Sequence, residues 1–448
     1  MKSVNGKNWL HLDLKGAIPS CRKMKEQLAY FKHCGFNGIV WEYDDRIPWK
    51  SWNNTWRKGY TLEELRELHG TCRELGLEII PLIQIQGHLE WILKQKEYAF
   101  LSENNSSSEI CPLNPKAFPL LQSWIREVME LHPDSKYIHL GADETWHLGT
   151  CPECSKHDKI KLYLDHVSKV CHFVLEHGRI PLIWADVFQR ENRTEEAKKL
   201  PEGTVLVDWQ YTGTPPYPGT EILLKSGHDV MGASGAMIGW WEHCLQVMSE
   251  FQGRIDNVTG WNEWAKIHRS GVIHTTWTRG ATLWNIYGNW FGALPAFIAA
   301  GDPEKWEKHP WNSFIRKLSD VIKGNQIDQL QSILEEIADL PAADGIELQA
   351  KNWITLAVRY QRLQQEFQIH RATRRIITET SKFVGFDSSM FQHDCVAPLE
   401  KLLPQLDQWE KDARSFWNEN ELSEEDEFMA THIALIRKDV IDCLNMPI

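Results

Sequence analysis

Nothing in the sequence approaches the roughly 18 consecutive apolar residues of a membrane span, which argues against an integral membrane protein. Positive charge is in deficit: 49 Lys and Arg stand against 61 Asp and Glu, a net charge of −12. Nucleic acids and anionic membranes both recruit a positive field, so neither is an expected partner. The first ten residues contain no apolar core of a secretory signal, and the cytoplasm is the expected compartment. Cysteine is sparse, with ten scattered through 448 residues. A disulfide scaffold is excluded and reduced, buried thiols are expected. No Gly-rich phosphate fingerprint follows any apolar run, which weakens a doubly wound nucleotide-binding sheet.

What is present is an ordinary globular composition, 42% hydrophobic and 25% charged, with one excess: 22 Trp. The length suits two or three domains, or one large α/β barrel with an appendage. Packing alone rarely demands so many indoles. Trp offers a flat apolar face and one N–H donor, a surface that suits the C–H faces of sugars. For any single Trp a place in the core is the simpler reading, so the positions decide.

Eight short apolar runs, at 9–15, 36–43, 77–84, 137–142, 180–186, 204–211, 229–234 and 271–277, alternate with amphipathic stretches. Thr61-Leu-Glu-Glu64 is a capping box, after which Leu65, Leu68, Cys72 and Leu75 repeat at helical spacing. Met24, Leu28 and Phe31 precede the second run in the same way, Val167, Cys171 and Val174 the fifth, and Val258 and Trp261 the eighth. The pattern predicts an α/β chain: a (β/α)8 barrel over residues 1–300. From 301 to 448 the pattern is helical, with a stretch free of Gly and Pro over 346–384, and predicts an all-helical C-terminal domain for packing or oligomerisation. The acidic run at 424–427 reads as a solvated helix start.

Active sites of such barrels lie at the C-terminal strand ends. On strand one Leu10, Leu12 and Leu14 face the helices, so His11, Asp13 and Lys15 point inward. The other strand ends carry Trp41-Glu-Tyr-Asp-Asp45, Gln86-Gly-His88, Asp143-Glu144, Trp184-Ala-Asp186, Asp208-Trp-Gln-Tyr211 and Trp277-Thr-Arg279. Any one Asp here is explained as a helix N-cap. The set of carboxylates and indoles together describes a pocket that stacks on a sugar and protonates a glycosidic oxygen. Asp143 and Glu144 are adjacent, and so poorly placed to flank one bond from opposite faces. They fit one acid/base beside one group that orients the substrate.

His139-Leu-Gly-Ala-Asp143-Glu144 resembles the signature of family 20 of the glycoside hydrolases, the β-N-acetylhexosaminidases. The segments His11-Leu-Asp-Leu-Lys-Gly-Ala17, Glu42-Tyr-Asp-Asp45, Gln86-Gly-His88, Trp209-Gln-Tyr211 and Trp277-Thr-Arg279 are similar to its hexosaminidase D-like branch. The resemblance implies exo-acting, substrate-assisted retaining hydrolysis of terminal GlcNAc or GalNAc, without a cofactor. It implies Glu144 as general acid/base and Asp143 as the partner of the acetamido N–H. Tyr211 is the candidate donor to the acetamido oxygen, and Trp184, Trp209 and Trp277 would form the cage. It further implies His88, backed by Asp45, as a buffer of the acid, and Asp13, Lys15, Asp186 and Arg279 as readers of ring hydroxyls. Two departures stand out. Lys15 occupies the region where many members carry an Arg, and strand seven, Met231-Gly-Ala-Ser-Gly235, lacks the Tyr often found there.

Three other readings compete. A metal-dependent barrel hydrolase would use His11, His88 and His139 with a strand-end Asp. A catalytically silent sugar-binding barrel would lack the acid, which is present here. Cys151-Pro-Glu-Cys154 with His157 and Cys111 looks like half a zinc knuckle. A second Cys-x-x-Cys is missing, so loop thiols are favoured over a metal.

Overall fold

The computed structural model describes residues 3–52, 59–238, 251–280, 284–285, 289–324, 326–380 and 392–445. Eight parallel strands close into a barrel: β1 (Asn8–Asp13), β2 (Gly38–Glu42), β3 (Glu78–Leu82), β4 (Tyr137–His139), β5 (Ile180–Trp184), β6 (Val205–Trp209), β7 (Asp229–Met237) and β8 (Val272–Thr276). β8 returns to β1 with Asn8 opposite Val272. Each predicted run supplies one strand.

Strand parity divides the core. Leu10, Leu12 and Leu14, with Ile39, Trp41, Ile183 and Leu206, pack outward into the layer shared with the helices. Trp9, Val40, Leu82, Tyr137, Leu182, Val205, Val207, Met231 and Ile273 fill the lower barrel. Above them lies a buried polar tier that includes His11, Glu42, Gln84 and His139. The barrel is therefore plugged from below and polar toward its mouth.

The helices follow the predicted faces. The Thr61 capping box is formed as read, with the Glu64 N–H on Thr61 Oγ1 and the Glu64 carboxylate on the Thr61 N–H. Cys21–Cys34 ends at Gly35 in the left-handed region (φ 117°). Alternation is weakest around β6, flanked by the short helices Asp186–Arg190 and Pro218–Leu223. The prolines at 215, 216 and 218 explain the second, because they remove amide donors from any longer helix there.

The C-terminal region is helical: Asn312–Lys323, Ile327–Asp339, Gly345–Thr380, Ala397–Glu419, Glu425–Thr431 and Ile433–Asn445. The stretch over 346–384, which reads as one long helix or two, forms a single helix as far as Thr380, and 381–384 lie outside the described residues. Glu425, Asp426 and Glu427 occupy the first turn of their helix, where its dipole favours negative charge. This region grips the loops leaving β1 and β2. Fully buried Arg46 binds Glu424 at 2.8 Å and the carbonyls of Leu14 and Gly16 at 3.0 and 2.7 Å. Ser423 Oγ accepts from the Ile18 N–H at 2.9 Å. Among the described residues no helix is long and apolar enough to cross a membrane.

Candidate active site

Asp143 and Glu144 leave the end of β4 on a strained path. Ala142 (φ 71°) and Glu144 (φ 49°) both lie in the left-handed region, as does His88 (φ 53°) on the facing loop after β3. Each such residue is disfavoured by about 1–3 kcal/mol, and such strain tends to collect at functional sites. Neighbours hold the path. The Ala142 N–H reaches Gln84 Oε1 at 3.3 Å, Tyr163 donates to the Ala142 carbonyl at 2.9 Å, and the Glu144 N–H is bound by Asp186 at 3.1 Å. Two glycines permit the close approach. A Cβ on Gly87 would lie 2.2 Å from the Asp143 carbonyl oxygen, and one on Gly141 would lie 1.8 Å from Gln84 Oε1.

His88 Nε2 stands 3.2 Å from Glu144 Oε2 and 3.5 Å from Asp143 Oδ2. Burial alone would strip its proton, but Asp143 and then Glu144 outweigh that and hold the imidazolium well above its usual range. Burial in turn pushes the Glu144 carboxyl up, yet the His88 cation dominates and lowers it. Asp143 is 5% exposed and its second oxygen, Oδ1, is buried without a hydrogen-bond partner. A buried acceptor left open in this way is one a ligand N–H would satisfy.

Asp186 is half-buried. Its carboxyl is pushed to about 7 by burial first and by Asp143 second, against the pull of Arg190 at 3.1 Å. Arg190 also lies over the ring of Trp146, 4.1 Å from its centroid, and Trp146 is exposed beside Glu144.

Across the mouth, half-buried Trp277 donates from Nε1 to the Tyr211 hydroxyl at 2.9 Å, and Tyr211 stacks on Trp209 with centroids 5.0 Å apart. Burial raises the Tyr211 phenol well above its usual range, so it remains a donor. Trp184 is fully buried beneath Trp277, at 6.2 Å between centroids.

Two residues expected to read ring hydroxyls bind other parts of the chain. Asp13 is fully buried and both its oxygens are taken, Oδ1 by the Lys15 N–H and Oδ2 by the Thr278 N–H, each at 3.0 Å. These bonds tie the end of β1 to the strand end that follows β8. Lys15 Nζ binds Glu42 at 2.6 Å and Asp13 at 3.3 Å, 5.3 Å from the Trp277 centroid. Burial would lower its pKa, but Asp13 and Glu42 raise it, so it carries a fixed positive charge beneath the indole. The carboxylates in contact with His88 are Asp143 and Glu144. Asp45 instead lines a cleft with Ile47, Trp49 and Tyr60. The side chain of Arg279 lies outside the described residues.

Sequence reasoning did not single out Glu42, Gln84 or Arg190. Glu42 shares the inward parity of Val40 and is bound by His11 at 2.9 Å and Gln84 at 3.1 Å. Its carboxyl, which burial would raise, is lowered by Lys15 and His11. Arg190 sits one helical turn after Asp186, a spacing that was readable. His11, His88 and His139 do not converge on one metal-competent cluster. Among the described residues the single such cluster is Glu103, Cys111, Cys151 and Cys154.

Comparison with known proteins gives the chain's family. Hexosaminidase D of Bos taurus is 30% identical over 313 residues, covering 66% of this chain and 88% of that protein. Hexosaminidase D of Homo sapiens is 32% identical over 231 residues, 48% of this chain and 47% of its own, so the match spans about half the human relative. The crystal structure of a β-N-acetylhexosaminidase from Bacteroides fragilis superposes with a TM-score of 0.51 at 18% identity, covering 66% of this chain and 65% of that one, a likeness of fold. The model of the glycosyl hydrolase family 20 catalytic domain matches residues 15–252, more than half of the chain and the stretch that carries both adjacent carboxylates. By that match the chain belongs to glycosyl hydrolase family 20.

Proposed function

We propose that the protein is an exo-acting β-N-acetylhexosaminidase that hydrolyses terminal β-linked GlcNAc or GalNAc with the help of the substrate's own acetamido group. The observation that carries this reading is the open, buried Oδ1 of Asp143 beside Glu144. It matches an acetamido N–H, which a plain sugar hydroxylated at C2 would replace with a different donor at a different reach.

In the first step the acetamido oxygen attacks the anomeric carbon, the glycosidic C–O bond breaks, and Glu144 gives its proton to the leaving oxygen. His88 Nε2, 3.2 Å from Glu144 Oε2, is placed to pass its proton to that carboxylate for this step and to take it back after the second. Asp143 accepts from the acetamido N–H and stabilises the positive charge that grows on nitrogen as the oxazolinium ring closes. In the second step Glu144 takes a proton from water, the water oxygen attacks the anomeric carbon, and the ring reopens with retained configuration. Tyr211 donates to the acetamido oxygen, Trp209 and Trp277 flank the group above Trp184, and Asp186 and Lys15 set the field around the ring hydroxyls. Arg279 is assigned to hydroxyl recognition on its sequence position alone.

The same reading takes 1–300 as the catalytic unit, 301–448 as a helical unit that supports its loops, the cytoplasm as the compartment and a small carbohydrate as the partner. A panel of chromogenic glycosides tests it. Release from the N-acetyl-β-glucosaminide or galactosaminide, with negligible release from the β-glucoside, is the expected result. Tight sugar binding without turnover would favour the silent binding barrel.

Trp277→Ala and Trp209→Ala are expected to weaken binding of an oxazoline analogue by about 1–3 kcal/mol each, through lost stacking and a rewetted cage. Calorimetry on the two variants checks this. Unchanged affinity in both would assign these indoles to packing.

A further inference from the structure

The loop at 101–111, which follows β3, and the segment that runs from Glu144 away from β4 meet at four side chains that the proposed chemistry does not use. Glu103 and Cys154 are fully buried, Cys111 nearly so, and Cys151 is partly exposed. One potential ligand atom from each lies within 4.8 Å of the other three. Cys111 Sγ is 3.6 Å from Cys154 Sγ and 3.8 Å from Cys151 Sγ. A tetrahedral zinc with bonds of about 2.3 Å to sulfur sets its sulfurs about 3.8 Å apart. A disulfide would require about 2.05 Å and would leave the third thiol over.

Glu103 gives a second, independent indication. Its Oε1 accepts the N–H groups of Thr150 and Cys151, each at 2.9 Å, while Oε2 is buried among the thiols with no N–H or O–H donor. A buried carboxylate oxygen without a donor is unfavourable by itself and is satisfied by a cation. The Cys154 N–H points at Cys151 Sγ at 3.4 Å, a contact that stabilises a thiolate.

We propose that Cys111, Cys151, Cys154 and Glu103 bind one structural zinc ion. Three thiolates and one carboxylate make a closed four-coordinate set, and the soft sulfur donors select zinc over magnesium or calcium. Binding exchanges three thiol protons for the metal, and those protons leave to solvent. The site has no open position for a water, so it does no chemistry. Its work is mechanical. Glu109 binds the His147 N–H at 2.7 Å and Glu103 binds the next backbone donors, so the two carboxylates already hold the segment that begins at Glu144. The metal locks that clamp and so fixes the direction in which Glu144 leaves the barrel. His157, beside the cluster in sequence, is not among its members.

The full chain, purified without chelator or added metal, is expected to contain about one zinc per molecule by elemental analysis. A mercurial reagent should release that zinc to a metallochromic dye. Chelation should lower the melting temperature of the wild type on the order of 5–10 °C. Cys154→Ser and Cys151→Ser should lose the zinc, and chelator should no longer move their melting. Cobalt exchanged into the wild type should give thiolate-to-metal charge-transfer absorption in the near ultraviolet, a readout that depends on no variant folding. Two results would overturn the proposal: wild type that takes up neither zinc nor cobalt while its thiols titrate as free, or intact mass showing that two of these cysteines are joined.

Discussion

Glu144→Gln is expected to lower turnover of a natural disaccharide by about 10²–10⁴ while the fold is retained, the usual weight of general acid catalysis. The variant keeps the size of the side chain and the backbone bond from Glu144 to Asp186, so circular dichroism and melting should change little. The loss should shrink on a substrate with a good leaving group, because departure of a stable phenolate needs little protonation. Comparing the two substrates therefore separates a missing acid from a damaged pocket, which would slow both alike. His88 adds a pH dimension. Its cation lowers Glu144, so His88→Gln should raise the Glu144 pKa and move the alkaline limb of kcat/KM to higher pH. Near-normal turnover of the disaccharide by Glu144→Gln would remove the residue from its assigned role.

Asp143→Asn is expected to reduce turnover by about 10²–10³ and to reduce ground-state binding much less. The charge that Asp143 stabilises develops on the acetamido nitrogen only as the ring closes, so its loss is felt in kcat. Thiazoline mimics of the cyclised intermediate should bind the wild type tightly and this variant weakly, as ligands that resemble the transition state do. A β-glucoside offers no internal nucleophile, and its rate should be negligible in both proteins. Efficient cleavage of a glucoside, with a fluorosugar trapped on a protein carboxylate, would replace substrate assistance with the two-carboxylate retaining scheme. Asp186 would then be the first candidate for the nucleophile.

Much of this molecule was legible in one dimension. The alternation of Leu10, Leu12 and Leu14 with His11, Asp13 and Lys15 assigns each side chain to a face, because strand parity is a local property. The Thr61 capping box lies within four residues, and its hydrogen bonds form as read. Asp143 and Glu144 were visible because strand ends of a parallel barrel all open on one rim, so the order of elements was enough to place them.

What only the tertiary structure decided is how residues far apart in sequence use one another. Asp13 was read as facing a ligand; the fold adds the amide of Thr278, 265 positions away, which binds its Oδ2 once β8 closes against β1. Trp184 was grouped with Trp209 and Trp277, and the fold buries it fully beneath Trp277. Glu42 was read only as the start of the Glu42-Tyr-Asp-Asp45 segment, yet its carboxylate binds both Lys15 and His11 in the buried tier. The thiols of the Cys-x-x-Cys segment were favoured as plain loop cysteines, since their spacing supplied two ligands and no second pair. Cys111 was already named as a possible third ligand; the fold adds Glu103 and gathers the four side chains on which the proposed zinc site rests. Local spacing sets which way a side chain points. Which charges share a buried volume, and so which protons and ions they hold, depends on long-range contacts that exist only when the barrel closes.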